Sequence, residues 1–170
     1  LFFSADDGVH GREPWVSDGT AAGTRLLADL CPGTCDSLRT LVVGTPWIVE
    51  AGGAFLFTAR DGTTASFQLW RTDGTAEGTA RVATDFPPAE GRLTAFAGLL
   101  YYVADSVDGR GPLVRSDGTS EGTVALPVTC VRPCFFPLHI VVATDSHLRV
   151  GDENVTPAAA WTIDRSGAIQ

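Results

Sequence analysis

Lysine and methionine are both missing from this 170-residue chain. Its 12 basic residues are therefore all arginine, set against 20 acidic ones for a formal net charge of -8. A chain this acidic lacks the electrostatic footprint of a nucleic-acid binder. No apolar run approaches the roughly 20 residues needed to cross a bilayer, so no membrane-spanning segment is expected. No stretch holds a 3.6-residue apolar period between caps, which predicts little helix. Histidine is limited to His10, His139 and His147, none at metal-pair spacing to another. His139 sits in an apolar run and reads as a core or edge residue rather than a ligand. A Gly-x-Ser-x-Gly elbow and a Gly-rich phosphate loop are also absent, and no carboxylate is marked out for glycoside hydrolysis. The reading is of a chain without catalytic residues. The missing Met predicts a processed or trimmed product, or a part of something longer.

What is present is enough for one core-bearing domain: 44% of residues are hydrophobic and 19% charged, which excludes a disordered acidic tail. The Arg-, Gly- and Ala-rich bias suggests a GC-rich bacterial source. Four cysteines form two pairs of equal spacing, Cys31-Pro-Gly-Thr-Cys35 and Cys130-Val-Arg-Pro-Cys134. Each encloses three residues including Pro, as a tight turn would. Local disulfides and an oxidising compartment are the favoured reading. Free thiols, a link between Cys31 and Cys130, or a zinc site are the competitors. Zinc pairs more often enclose two residues than three.

The chain repeats itself. PWVSDGTAAGT, LWRTDGTAEGT and LVRSDGTSEGT align around Asp18, Asp73 and Asp117, spaced 55 and 44 residues apart. Strand-like runs precede and follow each copy. Within a unit, strands are expected near Leu41–Val43 or Leu93–Phe96, then Phe55–Ala59 or Leu100–Ala104. Gln68–Arg71 or Leu113–Arg115 come next, and finally Ala80–Ala83 or Val124–Pro127. Short apolar runs bounded by Gly, Pro, Asp and Ser signal antiparallel β structure. Four such strands at a 40–50-residue period form the pattern of a propeller blade. The expected fold is all-β, a β-propeller-like array of antiparallel four-stranded blades forming a partial propeller or arc. The units are a partial blade (1–36), two blades (37–89 and 90–134) and terminal strands (135–170). The last begin a fourth blade or close the first.

Each motif joins the third and fourth strands of its unit. Asp-Gly turns need positive φ, which Gly supplies. The residues concerned are Asp18, Gly19, Thr20, Gly23 and Thr24; Asp73, Gly74, Thr75, Gly78 and Thr79; and Asp117, Gly118, Thr119, Gly122 and Thr123. The Asp carboxylate is expected to accept from backbone N–H groups ahead of it, with Thr hydroxyls closing the other side. Calcium is the competing reading, through Asp-rich turns such as Asp6-Asp7-Gly8 and Asp105–Gly109. Neither has the alternating ligands and closing Glu of a calcium loop, so no cofactor is expected. Trp15, Trp70 and Val114 share one register position, best read as packing between neighbouring sheets. Carbohydrate stacking is the alternative.

These segments resemble the bacterial ELWxxDGT repeat: EPWVSDGTAAGT at Glu13–Thr24, QLWRTDGTAEGT at Gln68–Thr79 and PLVRSDGTSEGT at Pro112–Thr123. The resemblance covers about residues 1–130. It implies a β-propeller-like fold and an exported, extracytoplasmic location (periplasm, cell surface or medium), and it carries over no catalytic residues. Two function classes follow. One is a non-catalytic structural or interaction module docking on a protein partner or a larger extracytoplasmic assembly, the acidic charge favouring a basic patch. The other is a carbohydrate-binding or hydrolase-like propeller with a glycan ligand.

Overall fold

The computed structural model describes residues 1–38, 48–88, 93–106, 111–128, 139–151 and 161–170. Among these residues there are 14 strands and no helix. The strands are β1 (Phe2–Asp6), β2 (Arg12–Val16), β3 (Arg25–Leu26), β4 (Ile48–Ala51), β5 (Ala54–Ala59), β6 (Gln68–Thr72) and β7 (Ala80–Arg81). They continue with β8 (Thr94–Phe96), β9 (Leu99–Val103), β10 (Leu113–Ser116), β11 (Val124–Ala125), β12 (His139–Ala143), β13 (His147–Gly151) and β14 (Trp161–Asp164). They form four separate antiparallel sheets in chain order: β1–β3, β4–β7, β8–β11 and β12–β14. No described strand passes from one sheet to another. The fold is thus all-β and built of consecutive meanders, and β12–β14 pair with one another rather than with β1.

Local turn chemistry sets the register. Gly52 and Gly53, at φ 63° and 73°, make the two-residue turn between β4 and β5, and that turn fixes Ala51 opposite Ala54 and Ile48 opposite Phe57. The equivalent turn in the third sheet uses Ala97 and Gly98, with Ala97 held at φ 51°. The two turns are joined by the Gly52 N–H donating to the Gly98 carbonyl at 2.6 Å. In the second sheet the opening strand is therefore Ile48–Ala51; the run expected there, 41–43, lies outside the described residues.

Alternation along the strands gives each inner sheet two buried faces. On β5, Phe57 and Ala59 face Leu30 and Leu38, which follow the first sheet. Leu56 on the same strand faces the other way, joining Leu69 and Val82 against Leu100, Tyr102 and Val114 of the third sheet. On β9, Tyr101 turns from that cluster to meet Leu148, Val150 and Ile163 of the fourth sheet. Three hydrophobic clusters thus join consecutive sheets, first to second, second to third and third to fourth. Burying one Leu or Phe side chain stabilises by roughly 1.5–3 kcal/mol, against about 1 kcal/mol net for a hydrogen bond. The clusters, more than the turns, hold the sheets together.

Candidate functional site

The three Asp-Gly-Thr corners are near-identical. In the first, the Thr20 N–H and hydroxyl both donate to Asp18 Oδ1, at 2.9 and 2.8 Å. The Gly23 N–H donates to Thr20 Oγ1 at 2.9 Å, and the Thr24 hydroxyl donates to the Thr20 carbonyl at 2.6 Å. Ser17 Oγ lies 2.7 Å from Thr24 Oγ1 and accepts the Gly19 N–H at 3.0 Å. The second corner repeats the set: Thr75 on Asp73 at 2.9 and 2.7 Å, Gly78 on Thr75, Thr79 on the Thr75 carbonyl, and Thr72 beside Thr79. In the third, Thr119, Gly122, Thr123 and Ser116 occupy the same places around Asp117. The first glycine of each corner has positive φ: Gly19 95°, Gly74 97° and Gly118 89°. The second glycine is required for space, since a Cβ at Gly23, Gly78 or Gly122 would overlap the Asp carboxylate.

These bonds hold the corner carboxylates below their ordinary range. The cause at Asp18 is first the Thr20 backbone N–H and then its hydroxyl. At Asp73 and Asp117 the Thr hydroxyl leads and the backbone follows. The same device occurs at two places that the repeat alignment passes over. Thr63 donates its N–H and hydroxyl to Asp61 Oδ1 at 2.9 and 2.6 Å. Ser166 does so to Asp164 at 2.8 and 2.6 Å. An Asp followed two residues later by Thr or Ser at the end of a strand is the signal that finds both.

Beside the first corner stands the cysteine turn. Cys31 and Cys35 pair as a disulfide, with Cα atoms 5.4 Å apart; Cys130 and Cys134 lie outside the described residues. The turn wraps over Glu13, which is fully buried. Glu13 accepts from the Leu30 and Cys31 N–H groups at 3.0 and 3.1 Å and from the Ser37 hydroxyl at 2.6 Å. Burial raises its pKa against the pull of these three donors. The turn also reaches the second sheet: Arg60 Nε donates to the Asp36 carbonyl at 2.6 Å, and Gly62 lies against the Cys31 sulfur. Glu13 is the residue whose role the sequence left unassigned. Its signal was the acidic first position of the repeat motif, which becomes Gln68 and Pro112 in the other units.

Trp70 packs against the cluster between the first and second sheets, and its indole N–H donates to the Ala59 carbonyl at 3.2 Å. Val114 is fully buried between the second and third sheets. Trp15 occupies the same register on β2 but belongs to none of the three clusters; it is partly exposed, and its indole nitrogen is buried with no acceptor. No described sheet precedes β1–β3 to cover it.

Among the other titratable groups, His10 Nδ1 lies 2.7 Å from Asp7 Oδ2 in an exposed turn. Hydrogen bonds led by the His10 backbone N–H lower the Asp7 pKa to about 2, and the carboxylate in turn raises that of His10. His147 is exposed, with Nδ1 2.8 Å from Ser146 Oγ. Among the described residues, no group of three or more His, Cys, Asp or Glu side chains could hold a metal ion. No helix there is long and apolar enough to cross a membrane. A polar groove of about 550 Å³ runs between the second and third sheets, lined by Gln68, Arg81, Thr84, Asp85, Ser120 and Thr123 among others. In comparisons with known proteins, no family model, no curated protein and no solved structure matches this chain.

Proposed function

We propose that this chain is a non-catalytic structural or interaction module: an exported, β-propeller-like scaffold of ELWxxDGT-type repeats that docks on a protein partner or a cell-surface assembly. The observation that carries this reading is the internal hydrogen bonding of the corners, in which Oδ1 of each Asp accepts from the Thr two residues on. Each loop closes on its own hydroxyls. The most regular polar feature of the molecule is thereby committed to holding loops between stacked sheets. The Cys31–Cys35 pair fits an oxidising, extracytoplasmic setting. Cross-linking in the source organism, followed by mass spectrometry, tests the reading. A recurrent protein partner supports it, and cross-links confined to the chain itself contradict it.

The polar groove between the second and third sheets favours a second reading, that of a glycan-binding module. Its lining hydroxyls, Gln68 and Arg81 could hydrogen-bond sugar hydroxyls. A glycan array separates the two: consistent binding that is lost in Arg81→Ala selects the second.

A further inference from the structure

The two inner sheets show what covers one face of a repeat unit, and the first sheet lacks it. Pairing registers place Phe3 opposite Trp15 and Trp15 opposite Leu26. The matching row of the second sheet is Phe57, Trp70 and Arg81, and that of the third is Tyr102, Val114 and Ala125, with Arg81 and Ala125 exposed at the edge. Phe57, Tyr102 and Val114 are fully buried against the unit that precedes them, and Trp70, though partly exposed, packs against the same cluster as Phe57. Phe3, Trp15 and Leu26 are all partly exposed and belong to no cluster.

The corners give an independent sign of the same vacancy. Gly74 lies next to the Phe2 ring of the first sheet, and Gly118 next to the Leu56 side chain of the second. Around Gly19 the equivalent space is open, with nothing within 4 Å of a Cβ. At the other end of the stack, the outward residues of β13 are His147 and Arg149, both exposed. A terminal repeat facing water is expected to be polar on that side. β13 of the fourth sheet meets that expectation and the first sheet does not.

We infer that the Phe3–Trp15–Leu26 face is an inter-sheet docking surface, and that its occupant is one more sheet of the same repeat. That sheet would present the apolar side that β5 and β6 present through Leu56 and Leu69. The argument is continuity with the interface already made three times along the chain. The exposed His147 and Arg149 of β13 make a head-to-tail second copy a poor fit. The inference deepens the scaffold reading and rests on it.

The test adds one more unit ahead of the chain. Because Phe2 corresponds to Tyr101 in the pairing registers, a second copy of residues 37–99 fused ahead of Leu1 supplies a whole sheet and an opening strand in register with β1. Hydroxyl-radical labelling read residue by residue should then fall at Phe3 and Trp15, at Phe3 to the level of Phe57. Leu69→Asp in the added copy should restore it. Unchanged labelling at Phe3 and Trp15 overturns the inference. A second measurement does not depend on the fusion. In the unfused chain, Phe3→Lys should leave the urea midpoint close to wild type, whereas Phe57→Lys should lower it sharply; equal losses show that the face is already covered and overturn the inference. Sedimentation of the unfused chain as a dimer, with Phe3 and Trp15 protected, overturns it in favour of a second copy. A glycan-array hit would sink the scaffold reading without altering these labelling results.

Discussion

The two ends of the sheet stack are chemically opposite. The first sheet turns Phe3, Trp15 and Leu26 outward, while the fourth turns out His147 and Arg149. Between them, the two inner sheets bury both faces. The contrast teaches that the repeat motif specifies a unit with a preceding side and a following side, and that each side is satisfied only by a neighbour. Identical corners therefore sit in different surroundings: Gly118 against Leu56, Gly74 beside Phe2, and Gly19 in open space.

The largest effect expected from this contrast is in the aromatic rows. Phe57→Ala removes a fully buried ring and should cost about 3–5 kcal/mol of stability. Phe3→Ala, its partly exposed counterpart, should cost about 1 kcal/mol by the same cavity and transfer argument. Urea unfolding of both variants checks the ratio; equal losses would break the comparison.

The corners should grade in the same direction. Alanine at Gly19, Gly74 or Gly118 meets the same left-handed backbone cost, roughly 1–2 kcal/mol. Gly118→Ala additionally forces its Cβ to within 3.2 Å of Leu56 Cδ2. Thermal melts should therefore rank the losses Gly118 first, Gly74 next and Gly19 last. A different order would mean that the corners do not lean on the preceding sheet.

The cysteine turn concerns one junction alone, that between the first and second sheets. Replacing both Cys31 and Cys35 by Ala opens a short loop and should cost about 2 kcal/mol by loop-closure entropy. Amide exchange should then speed up at Leu30 and Cys31, whose N–H groups Glu13 holds. The third and fourth sheets should exchange unchanged.

The smallest effects concern pH, and here the corners and Glu13 act with opposite sign. Corner carboxylates have folded pKa values below the ordinary 3.8. Their contribution is present above that value and is lost as pH falls through the lowered one. Glu13 has its folded pKa raised by burial. Its contribution is present at low pH and is lost as pH rises through the folded value. Stability profiles should show Asp117→Asn weakening the acid-side loss and Glu13→Gln removing the decline on the other side. If Glu13→Gln left the profile unchanged, the buried carboxylate would not be titrating with folding.

Much of this was legible in the sequence because turn residues have few substitutes. Positive φ and close approach select glycine, so the three corners announce themselves, as does the Gly52-Gly53 hairpin in hindsight. The position of β4 was not legible: the stretch from Ser37 to Gly53 holds two apolar runs, and composition cannot say which one pairs with β5. The Asp164 corner was hidden because its Asp is followed by Arg165 and its positive φ falls at Gly167. The role of Glu13 was hidden because its partners are backbone N–H groups far along the chain, which no spacing rule reveals. That Trp70 packs against a cluster and Trp15 does not was equally unreadable, since the difference comes from the neighbouring sheet and not from the motif.

The account rests most directly on consecutive stacking, and methyl-to-aromatic nuclear Overhauser effects on a Leu-labelled sample test it. The prediction is transfer from Leu30 or Leu38 to the Phe57 ring, from Leu56 or Leu69 to the Tyr102 ring, and none to Trp15 from any other sheet. A silent Phe57 ring, or transfer from Leu148 to Trp15, would contradict it.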